Sequence, residues 1–113
     1  MKKQNFNDYV EFSNERFTKR VIFKENKTTI FVLNFASGQT LPAHKHPGSN
    51  VQLMVMQGEG KFTIDGEDIP VIKGDVLFVE GDEELAFTNN STSNTSLYVM
   101  LNKIPNENYA KDI

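Results

Sequence analysis

The apolar residues of this chain come in short runs that are separated by turn-forming residues, and this pattern limits what the chain can fold into. The predicted strands are residues 17–23, 28–35, 51–56, 61–64, 69–71, 76–79, 86–89 and 96–101. Asp65-Gly66 lies between two of these runs and is typical of a tight type I′ hairpin. No apolar period of 3.6 residues persists, so the sequence predicts at most a turn near residues 6–12 and another after Pro105. Eight short strands predict an all-β sandwich or barrel.

The length and the hydropathy pattern predict one domain and no membrane partner. At 113 residues the chain can bury a single core. Its longest apolar run, residues 97–101, is far shorter than the roughly 20 residues of a membrane-spanning helix. The first ten residues include two lysines but no apolar stretch follows them, unlike a secretion signal. We therefore expect a cytoplasmic protein.

Charge and residue types exclude several classes of function. The net charge is −3, whereas nucleic-acid-binding domains usually carry a dense basic stripe, so we expect no nucleic-acid partner. The absence of cysteine excludes disulfides and thiol nucleophiles. Ser49 follows a Pro-Gly pair and lacks the strand-to-helix elbow of serine nucleophiles. Acid–base catalysis by histidine stays open, because imidazole titrates near neutral pH.

Both histidines, His44 and His46, lie in the segment GQTLPAHKHPGSN. Residues two apart in a strand point to the same face, which predicts that both imidazoles enter the interior while Lys45 faces outward. Two spaced motifs contain these and further residues: Gly38, His44, His46, Val51 and Gly58 in the first, and Gly74, Glu80, Asp82, Leu85 and Asn89 in the second. Together they resemble the two signature motifs of the cupin superfamily, and the chain looks like a small single-domain member.

This resemblance covers about residues 28–101 and implies a double-stranded β-helix, a jelly-roll-like barrel of about eight strands. Residues 1–113 then form one cupin domain, with an N-terminal arm over residues 1–27 that adds edge strands and a tail over residues 102–113. Cupins commonly pair through such strands, and an uncovered sheet edge is a liability that pairing removes. A homodimer is therefore expected.

The resemblance also implies where a metal would bind, and the sequence departs from that pattern. Metal-binding cupins use three histidines and a carboxylate, but the carboxylate position falls on Val51 and the third histidine position on Leu85. Neither side chain can donate a lone pair, and two imidazoles fall short of the protein ligands of known zinc sites. The metal set is thus incomplete, with His44 and His46 alone, and no cofactor is certain. A weakly bound divalent transition metal remains an alternative.

Strand alternation predicts the walls of the barrel interior. If Val51 points inward, Leu53 and Val55 do as well, while Leu85 and Phe87 share a face of another strand. A slip by one residue would instead turn Gln52, Met54 and Met56 inward. The predicted ligand-binding residues are His44, His46, Val51, Gln52, Leu53, Val55, Leu85 and Phe87.

Three functional hypotheses follow. The first is a cupin with a degraded metal centre that holds a small organic molecule or a loosely bound cation through His44 and His46. The second is a metal-dependent oxygenase or isomerase in which Gln52 or Glu80 completes the metal shell. The third is a structural or partner-binding protein that uses the outside of the barrel. Whether the chain is an enzyme is left undecided.

Overall fold

The computed structural model describes residues 1–104, which form nine strands and one short 3-10 turn. The strands are β1 (Thr18–Glu25), β2 (Thr28–Phe35), β3 (Thr40–His44), β4 (Ser49–Gln57), β5 (Glu59–Ile64), β6 (Glu67–Ile72), β7 (Val76–Glu80), β8 (Leu85–Thr88) and β9 (Thr95–Lys103). The 3-10 turn, Phe6–Tyr9, lies in the region where a turn is predicted. The second predicted turn, after Pro105, lies outside the described residues.

The strands form two antiparallel sheets that enclose one core. One sheet has the order β1-β2-β9-β4-β7 and the other the order β3-β8-β5-β6. The all-β barrel prediction is confirmed, and the N-terminal arm adds β1 as an edge strand. Asp65 and Gly66 have φ angles of 48° and 81°, as the type I′ hairpin between β5 and β6 requires. No helix among the described residues is long and apolar enough to span a bilayer.

The structure contains a strand, β3, that is not among the eight predicted strands. Within residues 1–104 it pairs only with β8, and the register shifts between Leu41 and His44. Pro42 lies at this irregularity, where its missing N–H removes no ladder hydrogen bond, since proline in sheets is confined to edges and bulges. This edge strand carries the first histidine at its end.

The register of β4 decides which side chains face the core. Val51, Leu53 and Val55 are buried, with exposed fractions of 1%, 2% and 1%, while Gln52 and Met54 alternate with them on the outer face. The alternative register with Gln52 inward is therefore wrong. Val51 lies opposite Val79 in the β4–β7 pair, so the two sheet neighbours bury their side chains on the same side.

Aromatic rings fill one part of the core. The ring centroid of Phe87 lies 4.8 Å from that of Phe35 and 4.7 Å from that of Phe62. All three side chains are buried. On the outer face of the five-stranded sheet, by contrast, Val76 and Phe78 of the edge strand β7 are largely exposed. The homodimer stays a prediction.

Candidate functional site

The two imidazoles line one cavity between the two sheets, with a volume of about 140 Å³. Its lining residues are Phe17, Lys19, Phe31, Leu33, Leu41, His44, His46, Val51, Leu53, Leu85 and Val99. These residues come from or adjoin six strands. Apart from Lys19 and the two histidines, every lining side chain is apolar, so the cavity offers few polar groups to a ligand.

His44 ends β3, and its ring is oriented by the backbone. The ring Nδ1 lies 2.7 Å from the carbonyl oxygen of Pro42. A carbonyl can only accept a hydrogen bond, so Nδ1 carries the proton and donates it. In the neutral ring Nε2 is then the acceptor. This bond fixes the His44 tautomer and leaves its free lone pair on the nitrogen that does not contact Pro42.

His46 follows β3 and is positioned through its backbone. Its N–H donates to the carbonyl of Gly81 (3.0 Å), and its own carbonyl accepts from the N–H of Ser49 (3.0 Å). A Cβ atom at Gly81 would overlap the carbonyl oxygens of Ser49 and His46. The turn that carries His46 therefore packs directly on the loop after β7, and this packing requires glycine at position 81. Among residues 1–104 the ring of His46 has no hydrogen-bond partner, so neither tautomer is imposed on it.

The two rings touch edge to face, with centroids 4.5 Å apart and planes at 74°. Burial lowers the pKa of His46 below its ordinary value of 6.5, and repulsion from His44 and then from Lys19 lowers it further. At neutral pH His46 is therefore mainly uncharged. A neutral imidazole with no fixed tautomer can either donate or accept a hydrogen bond.

The lowered pKa of His46 makes the stability of the fold depend on pH. The unfolded chain takes up a proton at His46 near pH 6.5, whereas the folded chain does so only at lower pH. The contribution of neutral His46 to the free energy of unfolding is therefore fully present above pH 6.5, and it is lost as the pH falls through the pKa of His46 in the folded chain. We expect urea denaturation to show lower stability below pH 6.5 than above it, and a smaller drop in His46→Asn. An equal drop in the two proteins would contradict this assignment.

Lys19 is a site residue that the sequence analysis did not single out. It lies opposite Leu33 in the β1–β2 pair, and its Nζ is 4.5 Å from the ring centroid of Phe31. Both Leu33 and Phe31 line the cavity, so the ammonium group lies against its wall. The signal in the sequence is the spacing of Phe17 and Lys19, since residues two apart in an extended chain point to the same side. Only the pairing of β1 with β2 brings that side to the cavity.

The structure brings together five of the eight predicted ligand-binding residues. Val51, Leu53 and Leu85 line the cavity with both histidines. Leu85 lies opposite His44 in the β3–β8 pair. Val55 and Phe87, the next inward-facing residues after Leu53 and Leu85 on their strands, belong to the same buried core but do not line the cavity.

Gln52 and Glu80, the two residues predicted as able to complete a metal shell, do not line the cavity. Gln52 alternates with the inward-facing residues of β4 and borders an outer depression with Tyr98 and Met100. Glu80 is exposed and borders another outer depression with Lys45. Neither side chain faces the imidazoles, because each sits one residue away from a buried position on its strand.

The donor set does not match the metal centre that the cupin resemblance implies. No group of three or more His, Cys, Asp or Glu side chains in the described part of the chain could hold a metal ion. His44 is oriented as metal-bound histidines are, with its second nitrogen bonded to a carbonyl. The facing walls at Val51 and Leu85 nevertheless offer only hydrocarbon. The residues present do not fit the four-ligand centre.

In the comparison with known protein families, residues 31–101 match the family model described as a cupin domain. A solved structure from Thermus thermophilus has a TM-score of 0.86 and 20% identity, covering 93% of this chain and 100% of that one. An RmlC-like cupin protein from Desulfovibrio desulfuricans has a TM-score of 0.81 and 27% identity, covering 90% and 96%. Both structures have the barrel described above.

A curated protein, the oxalate-binding protein of Thermotoga maritima, is 34% identical to this chain over 73 residues. The match covers 64% of this chain and 59% of that protein. The chain therefore spans less than two thirds of the length of this relative.

Proposed function

The chain belongs to the cupin family, and on this premise we propose that it is a binding module that holds a small organic molecule through His44 and His46 without the metal centre of metal-binding cupins. One observation carries this proposal: two imidazoles meet at a cavity whose facing walls, at Val51 and Leu85, provide no metal ligand. Pockets that bind small molecules are mostly apolar with a few polar groups that orient the ligand.

The size of the cavity limits the ligand. Its volume of about 140 Å³ is close to that of an engineered cavity of about 150 Å³ that binds benzene. We therefore expect the buried part of the ligand to be about the size of one six-membered ring. The two imidazoles supply hydrogen bonds to the polar end of the ligand. Nε2 of His44 is an acceptor, and the His46 ring can donate or accept because its tautomer is not imposed.

The name of the Thermotoga maritima relative supports a small organic ligand in general. Oxalate itself has no apolar part, whereas most of the wall here is hydrocarbon, so we favour a ligand with an apolar body. A metal-dependent enzyme is the second candidate. The outward positions of Gln52 and Glu80 argue against it, since these were the side chains expected to complete its shell.

Two measurements on protein purified without a histidine tag test the proposed function. Elemental analysis should find no stoichiometric transition metal. Titration with a panel of small acids, alcohols and amides should shift the methyl NMR signals of Val51, Leu53 and Leu85 with at least one compound. His44→Ala should weaken that binding by about tenfold, the size expected for one lost hydrogen bond to a ligand.

Lys45→Ala provides the matched control, because Lys45 lies between the histidines in sequence but borders an outer depression. It should leave binding unchanged. Stoichiometric iron, manganese or nickel that is lost in His44→Ala would instead support the metal-dependent enzyme. A panel in which no compound shifts the three methyl-bearing residues would contradict a ligand in this cavity.

A further inference from the structure

The charged groups around the cavity point to the chemical class of its ligand. We propose that the ligand is a small 2-hydroxy carboxylate with an apolar body, whose carboxylate is bound by Lys19 and whose hydroxyl donates to His44. This inference rests on the proposed function, because it assumes that the cavity binds a small organic molecule. It adds a cationic residue on β1 to the two histidines.

The part of the chain that the structure describes gives the cavity a positive charge and no negative one. Among the lining residues in the range 1–104, Lys19 alone has a permanent charge and none is acidic. The whole chain carries a net charge of −3, so this local excess of positive charge is opposite in sign to that of the molecule. A cation on the wall of a mostly apolar cavity favours an anionic group in the ligand.

The ammonium group of Lys19 is held at the wall but not neutralised. Its Nζ lies 4.5 Å from the ring centroid of the buried Phe31, a geometry in which the ring face attracts a cation. Within residues 1–104 no carboxylate lies within salt-bridge distance of this Nζ; the ion pairs there are Lys2–Glu25, Arg20–Glu11 and Lys61–Asp68. Lys19 therefore keeps its three N–H donors for a ligand, and hydrogen bonds from an ammonium to a carboxylate are stronger than neutral ones.

The two imidazoles complete the recognition of the polar end. The hydrogen bond from His44 Nδ1 to Pro42 makes Nε2 an acceptor, which needs a donor such as a hydroxyl group. The His46 ring, 4.5 Å from that of His44 between centroids, has no imposed tautomer and can donate to the carboxylate. A hydroxyl and a carboxylate on neighbouring atoms match two imidazoles that are in contact. The apolar body then lies against Val51, Leu53 and Leu85.

Three compounds with the same isobutyl body test this inference by calorimetric titration. They are 2-hydroxy-4-methylpentanoate, its uncharged amide, and 4-methylpentanoate, which lacks the hydroxyl. We expect the hydroxy acid to bind at least about tenfold more tightly than either of the others. The amide loses a charge-assisted hydrogen bond, and the acid without the hydroxyl loses a neutral one.

The role of Lys19 is tested with Lys19→Met, which keeps an unbranched side chain only one atom shorter and removes its charge. The variant should bind the acid and the amide equally, while Lys19→Arg should restore the preference for the acid. Because Lys19 is exposed, both variants should fold, and their thermal midpoints should match that of the parent. Lys45 lies outside the cavity, so Lys45→Met should leave the preference for the acid unchanged.

The outcomes separate this inference from the proposed function. If the amide binds as tightly as the acid, or if Lys19→Met keeps the preference, the cavity binds organic molecules but the carboxylate assignment is wrong. If the acid without the hydroxyl binds as tightly as the hydroxy acid, the role of His44 as acceptor is wrong. If none of these compounds nor any in the wider panel shifts the methyl signals of the cavity, the proposed function itself fails.

Discussion

The double variant Val51→Glu and Leu85→His should bind a divalent transition metal about a thousandfold more tightly than the parent, moving the dissociation constant from about millimolar to about micromolar or below. Leu85 lies opposite His44 in the β3–β8 pair, and Val51 lines the same cavity from the other sheet. The two changes would therefore place a third imidazole and a carboxylate beside His44 and His46. Zinc or iron binding measured by competition with a chelator gives the result.

A matched control shifts the carboxylate by one residue. Gln52→Glu combined with Leu85→His adds the same two groups, but position 52 faces outward, so no comparable gain is expected. Metal should also raise the thermal midpoint of the first variant, because it binds the folded state and relieves a buried glutamate at position 51, whose native side chain is 1% exposed. Equal affinities in the two double variants would mean that Val51 does not face the histidines.

Replacing Phe87 by alanine should lower the free energy of unfolding by about 3–5 kcal/mol, the range for phenylalanine truncation in packed cores. The Phe87 side chain is 1% exposed and contacts the rings of Phe35 and Phe62. Its removal leaves a void that rigid neighbours on two sheets cannot fill. Denaturation by urea measures the loss.

Phe78→Ala is the control for this prediction, because Phe78 is 56% exposed on the outer face of β7. The substitution removes the same number of atoms as Phe87→Ala, but the Phe78 side chain buries little surface. Its effect on the free energy of unfolding should therefore stay within about 0.5 kcal/mol. Replacing Gly60 by alanine offers a second check on the packing around Phe87, because a Cβ atom at position 60 would overlap the Phe87 ring. Comparable losses in Phe87→Ala and Phe78→Ala would show that the aromatic cluster is not the centre of the core.

Most of the fold was predictable because it follows from alternation and turn chemistry. The Asp65-Gly66 hairpin and the buried positions of β4 are local consequences of residue type, and both agree with the structure. The choice between the two registers of β4 needed the structure, because Gln52, Met54 and Met56 are themselves compatible with a partly buried strand. Pairing with β7 and β9 decides it, since only one register buries Val51 against Val79.

The parts that could not be predicted depend on pairing between distant strands. β3 has a proline and few β-branched residues, so its strand conformation comes from its pairing with β8 and not from local propensity. Lys19 reaches the cavity because β1 pairs with β2. The limits of the cavity depend on packing, and alternation alone could not show that Val55 and Phe87 do not line it.

The position of His44 on an edge strand has a consequence for the rate at which a ligand enters. β3 is five residues long and is interrupted by an irregularity between Leu41 and His44. Among the strands of the described chain it is hydrogen-bonded to one neighbour only. Segments with few backbone hydrogen bonds open more often than the rest of a domain. Leu41 and His44 of β3 form part of the cavity wall. Transient detachment of β3 would open this wall without unfolding the barrel, so association kinetics would depend on the local stability of this strand and not on that of the whole molecule.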